Sequence, residues 1–340
     1  MTGAMLRTRA FRDVAVVIVL VFGVGSIAML LAHVSPFDGF YALIDGAFGT
    51  KYEIAETLLQ TTNLLLPALG IAIAFRAGLF NIGAEGQLVI GGFAAGWLGA
   101  QFPLPGYLAV PMVLLAGAVA GGAWGAIPGF MRARFGANEV IATLMLNFVA
   151  ALLTTYLVTG PLQQGGAGAA ETSPLPKAAQ LPTLFGTQLT WAFVIALVLA
   201  FVVHRVLQHT VFGYELRAAG DAPEAAKRAG IDLSRTALLA MTISGAFAGL
   251  GGAAIVAGVL HRFNTGLSPG YGFIAIAVAL VGNLDPRWIV LAALAFGALQ
   301  SGGYVMQAEA HVPREVVSLV TGLVIIALAG RRVVAALRST

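Results

Sequence analysis

Apolar runs about 20 residues long recur from one end of this chain to the other. A helix needs about 20 apolar residues to cross a hydrocarbon core of about 30 Å. Backbone groups in that core find no water, so a spanning segment must satisfy its own N–H and C=O groups. Barrel strands are about half as long and alternate in polarity, which these runs do not. Composition agrees: 59% of the 340 residues are apolar and 10% are charged, against about 25% charged in a soluble domain. The 43 glycines suit closely packed membrane helices. With no cysteine, there is no disulfide, thiolate nucleophile or cysteine metal site. No polar stretch is long enough for a separate soluble domain. The chain reads as one all-α integral membrane domain over residues 1–340.

The runs place spans near 14–32, 54–75, 86–102, 107–131, 139–159, 189–205, 235–259, 269–283, 288–307 and 313–330, about ten in all. The first is too long for the apolar part of a signal peptide, so it reads as an uncleaved span. Basic residues test the count, because they gather on the inner side. With the N-terminus inside, 15 of the 19 Lys and Arg residues face inward, including Arg7, Arg9, Arg12, Arg76, Lys227 and Arg331. Lys51, Lys177, Arg262 and Arg314 face outward. Both termini are then inside. The net charge of +4 reflects this topology and not nucleic-acid binding. Two outer segments remain, 33–53 and a proline-rich, irregular 160–188.

Two matches indicate an internal repeat. Phe80-Asn81-Ile82-Gly83 recurs as Phe263-Asn264-Thr265-Gly266, and Asn138 to Leu144 recurs as Arg314 to Val320, at offsets of 183 and 176 residues. The first copy of each lies inside and the second outside, the pattern of an inverted-topology repeat with halves near 54–160 and 235–330. Each FN-x-G precedes a short span. The pair reads either as broken helices near the membrane centre, capped by Asn81 and Asn264, or as ordinary helix starts at the surface.

Several polar residues fall within or beside the spans. Glu85 is either a pathway group or a surface carboxylate favoured by a helix N-terminus. Asn147 reads equally as a pathway group or an interhelical hydrogen bond. Asn63, Phe80, Asn81, Gln87, Phe263, Asn264 and Thr265 complete the pathway candidates. The histidines sit at span ends without metal-ligand spacing. No phosphate-binding G-x-x-x-x-G-K-[ST] loop or G-x-S-x-G nucleophile motif occurs, so no catalytic residue is assigned.

The polar, basic loop 206–234 sits between two spans. Its centre reads as a helix of about two turns, with Asp221 as N-cap, Pro223 in the first turn, Glu224 completing a capping box, and Gly230 as a left-handed stop. Such a helix can be a docking element or can lie on the bilayer, although its apolar face is narrow for the second role.

Glu224-Ala225-Ala226-Lys227-Arg228-Ala229-Gly230-Ile231 resembles the EAA-x-x-x-G pattern in cytoplasmic loops of ABC-importer permeases. Gly220 to Ile231 is similar to the branched-chain amino acid, ribose and nucleoside permease family. FNIGAEGQLVIGG and NEVIATLMLNFVA resemble its nucleoside and simple-sugar subgroup. Asp221 stands where that family often carries Asn, and both cap helices well. The resemblance implies a permease subunit in a bacterial inner membrane that imports nucleosides or related sugars. Asp221, Pro223, Glu224, Ala225, Ala226, Lys227, Arg228, Gly230 and Ile231 would dock on a separate ATPase. The two small alanines would allow close approach. ATP and Mg would bind that subunit, leaving this chain without cofactor or enzymatic activity. It further implies a second, non-identical permease and an external binding lipoprotein. A permease for branched-chain amino acids or ribose, and a secondary transporter needing no ATPase, are the alternatives.

Overall fold

The computed structural model describes residues 22–102, 105–163, 170–320 and 322–323. The N-terminal arginines, the first part of the first expected span and the end of the last lie outside them. The described residues form mainly α-helices, with an irregular stretch in the connection from residue 160 to 191 and two isolated β-bridges. By length and composition, six helices among the described residues suffice to cross a membrane, or seven if one bent pair counts as a span.

One compact unit is made of the described parts of residues 1–60 and 295–340. In it, α1 (Phe22–Leu31) turns by 117° into α2 (Pro36–Phe48). The sequence reading made this second stretch an outer loop. It is helical because Ser35 caps it, accepting from the Asp38 N–H, and Pro36 occupies the first helical position, where no donor is needed. Met29, Ala42, Met306, Val312, Val317 and Val320 form its core. The Ser301 hydroxyl donates to the Gly46 carbonyl at 2.7 Å.

The second unit, Thr61–Leu294, carries most of the candidate site. It holds the greater part of α3 (Lys51–Arg76), then α4 (Ala84–Gln101), α5 (Gly106–Phe135), α6 (Glu139–Thr159) and α7 (Ala192–His209). Two shorter helices follow, α8 (Val211–Asp221) and α9 (Pro223–Arg228), before α10 (Leu233–Ile255) and α11 (Tyr271–Val281). Helix α12 (Pro286–Ala308) leads back to the first unit.

Glycine sets the spacing at the centre of this unit. A Cβ on Gly249 of α10 would lie 2.2 Å from the Gly117 carbonyl oxygen and 2.8 Å from the Gly121 Cα, both on α5. On Gly91 of α4 it would lie 2.3 Å from the Gly249 Cα. Three backbones therefore meet where no side chain fits, as small residues permit in membranes. Helix α10 then loosens into a π-turn, Val256–Leu260, which stops at His261 in the left-handed conformation. The described part of the proline-rich segment is tied to this stretch. Thr172 N–H donates to the Phe263 carbonyl, Leu175 N–H to that of His261 and Leu181 N–H to that of Ala257. Glu171 pairs with Arg262.

Candidate coupling helix and broken-helix site

The two FN-x-G segments differ in structure. Asn81 is fully buried at the entrance to α4. Its Oδ1 accepts from the Gly83 N–H at 2.9 Å, and its Nδ2 donates to Gln87 Oε1 and Ser244 Oγ, each at 2.8 Å. Helix α6 satisfies the next orphan donors. Asn147 Oδ1 accepts from the Gly86 N–H at 2.8 Å, while its Nδ2 donates to the Ile82 carbonyl at 2.9 Å. One turn earlier on the same face, Thr143 Oγ1 accepts from the Ile82 N–H at 3.3 Å. Helix-start N–H groups with no intrahelical partner need such acceptors when they lie away from water. Asn147 thus forms the interhelical bonds that were one of its two sequence readings.

Neither asparagine is the cap expected of it, since the N-cap positions of α4 and α11 are Gly83 and Gly270, and Asn264 does not make the bonds that Asn81 makes. Asn264 Oδ1 is buried and has no hydrogen-bond partner. The N-cap position of α11 is Gly270 in the left-handed conformation, and the turn before it is held by the Ser268 hydroxyl, which accepts from the Gly270 and Tyr271 N–H groups at 3.2 and 3.0 Å. Asn264 instead bridges antiparallel to Glu171, so its backbone is committed to the proline-rich segment and not to the helix start. The Phe residues differ too: Phe80 is exposed, whereas Phe263 is fully buried and packs edge-on against Phe93. Thr265 is exposed and Asn63 is buried within α3.

Glu85 joins the two breaks. Its Oε2 accepts from the Gly272 N–H at 2.7 Å, in the first turn of α11, where a carboxylate is favoured by the helix dipole. A Cβ on Gly272 would lie 2.3 Å from the Glu85 nitrogen, so the two helix starts are in backbone contact. Helix α11 is 11 residues long, about 16 Å. Its far end lies beside Arg76, whose Nε donates to the Leu284 carbonyl at 3.2 Å. The Glu85–Gly272 contact therefore lies about 16 Å along α11 from the Arg76 end.

The polar loop is two helices, not one. Thr210 caps α8, accepting from the Gly213 N–H at 3.1 Å, and Gly213, Leu216 and Ala219 form its buried stripe. That stripe carries the helix through Asp221, which corrects the reading of Asp221 as N-cap of the next helix. The break is at Ala222 (φ −148°, ψ 74°), and α9 begins at Pro223 without a side-chain cap, so the capping box is not formed. The helix stop is as read. Gly230 has φ +87°, and the Gly230 and Ile231 N–H groups return to the Lys227 and Ala226 carbonyls at 3.1 and 3.0 Å. Pro223, Glu224, Ala225, Lys227 and Arg228 are exposed; Ala226 is buried against the rest of the chain, leaving Ala225 as the small residue on the free face. Ser244, Thr143, Ser268 and Arg76 join the site only through the tertiary structure. A small hydroxyl in an apolar helix was the available signal for the first.

The family model for the permease component of branched-chain amino acid transport systems matches residues 53–329. The chain belongs to this family of transport permeases. It is 38% identical over 321 residues to the guanosine ABC transporter permease protein NupP of Bacillus subtilis, covering 92% of this chain and 91% of that one. The glucose ABC transporter permease protein TsgB13 of Haloferax volcanii is 33% identical, over 94% and 87%. The nucleoside ABC transporter permease protein NupB of Lactococcus lactis is 34% identical, over 95% and 92%. No solved structure matches.

Proposed function

We propose that this permease imports nucleosides, driven by a separate ATPase that docks on α9. The observation that carries this reading is near-full-length similarity to relatives named for guanosine and nucleosides. The solvent-facing α9 supports the docking part. Glu224, Ala225, Lys227 and Arg228 meet the ATPase, while Ala226 and the Gly230–Ile231 stop hold the helix on the chain; Asp221 and Pro223 bracket its start. ATP and Mg belong to the ATPase, and this chain performs no chemistry. A second permease and an external binding lipoprotein complete the importer in a bacterial inner membrane, with both termini in the cytoplasm.

In this reading the chain is one permease domain with about ten spans in two inverted repeats, counting α4 and α11 as the spans that follow the two FN-x-G segments. The pathway passes the broken-helix region, drawing on Asn63, Phe80, Asn81, Glu85, Gln87, Asn147, Phe263, Asn264 and Thr265. Neutral amides, hydroxyls and aromatic faces suit an uncharged, hydroxyl-rich solute. Sugar import is the second reading, favoured by the relative named for glucose.

Radiolabelled guanosine uptake, in cells expressing this chain with and without its ATPase, tests the proposal. Uptake should require the ATPase, fall on competition by other nucleosides more than by glucose, ribose or leucine, and vanish in Glu224→Arg. ATPase-independent uptake would make the chain a secondary transporter. Stronger competition by glucose would favour the sugar reading.

A further inference from the structure

Gly220 lies near the end of α8, two residues before the break that starts α9. A Cβ there would lie 2.4 Å from the Arg76 carbonyl oxygen and 2.9 Å from the Gly78 nitrogen. From the other side, a Cβ on Gly78 would lie 3.1 Å from the Gly220 Cα. Backbone therefore rests on backbone, a contact that cannot yield by rotating a side chain. Gly78 also has φ +73°, a conformation that other residues adopt only at a cost.

The segment that Gly220 touches, residues 76–85, holds α11 at both ends. Arg76 donates to the Leu284 and Asn283 carbonyls just beyond its C-terminus, and Glu85 accepts from Gly272 in its first turn. The same segment is fixed to α6 through Asn147 and Thr143, and to α10 through Asn81 and Ser244.

We infer that residues 76–85 form a strap that carries displacement of α8 and α9, through the Gly220–Gly78 contact, to α11. Its use in transport rests on the importer reading above; the linkage itself does not. Arg76 and Glu85 are positioning residues, acting through the ends of α11. The competing route is along α10, which continues the chain from α9 but is locked backbone to backbone against α5.

Two measurements test this. In the purified full-length chain, Gly220→Ala should speed amide hydrogen exchange of residues 271–275 about tenfold, leaving residues 245–253 of α10 unchanged. Unchanged exchange at 271–275, or a change spread equally over α10, overturns the strap whatever the chain transports. In the assembled importer, Glu85→Ala should lower guanosine taken up per ATP hydrolysed about tenfold while the ATPase still copurifies and turns over. Glu85→Gln keeps an acceptor for the Gly272 N–H and should restore most of the ratio. An unchanged ratio in Glu85→Ala, or equal loss of hydrolysis and uptake, overturns it. If Gly220→Ala does not accumulate, exchange at 271–275 in Glu85→Ala against Glu85→Gln decides. Wild-type uptake without ATP would sink the importer reading alone.

Discussion

The Glu85 carboxylate accepts a hydrogen bond from the Gly272 N–H at 2.7 Å, joining the first turns of two helices 187 positions apart. Two helix N-termini would otherwise bring partial positive charge together. The carboxylate between them offsets that repulsion and satisfies a donor of α11. Glycine at 272 makes it possible, because the two backbones are already in contact.

Gly272→Ala should therefore destabilise the chain by about 1–3 kcal/mol, as overpacking against fixed backbone does. Thermal unfolding of the purified protein in detergent measures this. Gly266→Ala, whose Cβ would meet only Asn264 Oδ1 at 3.6 Å, should stay within about 0.5 kcal/mol of wild type. Equal effects would mean that the two helix starts do not touch.

The two asparagines of the FN-x-G segments should respond unequally. Asn81→Ala strands the Gly83 N–H and removes partners from Gln87 and Ser244, all buried. Leaving such groups unsatisfied should cost about 2 kcal/mol or more, read from the same unfolding measurement. Asn264→Ala removes an amide oxygen that already lacks a partner and should cost less than about 1 kcal/mol.

The glycine seam predicts a third inequality. Gly249→Ala drives a methyl group into the Gly117 carbonyl and should cost about 2–3 kcal/mol. Since α4, α5 and α10 all meet there, loss of monodisperse protein on size-exclusion chromatography should accompany the lower unfolding temperature.

Topology can be read by labelling, because the chain contains no native cysteine. Ala225→Cys should react with a membrane-impermeant maleimide in inverted vesicles and not in intact cells. A bound ATPase should then protect it. Reaction from outside the cell would place α9 on the wrong side for an ATP-driven importer.

Several features were legible in the sequence. Hydropathy located α6 at 139–159 and α12 to within two residues, because burial of one long apolar segment is a local property. Gly230 was readable because few other residues tolerate its backbone conformation. Other local readings failed where longer-range packing intervened. Asp221 resembled a cap, but the buried stripe of Gly213, Leu216 and Ala219 carried α8 past it. Residues 36–48 looked like a loop because their polar groups outweighed the Ser35–Pro36 helix start.

The sequence by itself determined a membrane-embedded helical chain, its permease family and the existence of a polar helical loop, since length, hydropathy and motif are written along the chain. Only the tertiary structure decided that Asn81 is hydrogen-bonded through both its amide atoms while Asn264 Oδ1 has no partner, that Glu85 serves a helix 187 positions away, and that Gly220 rests on Gly78. Each of these depends on which backbones approach within contact distance. That is a property of how the helices pack together, and no local window of residues contains it.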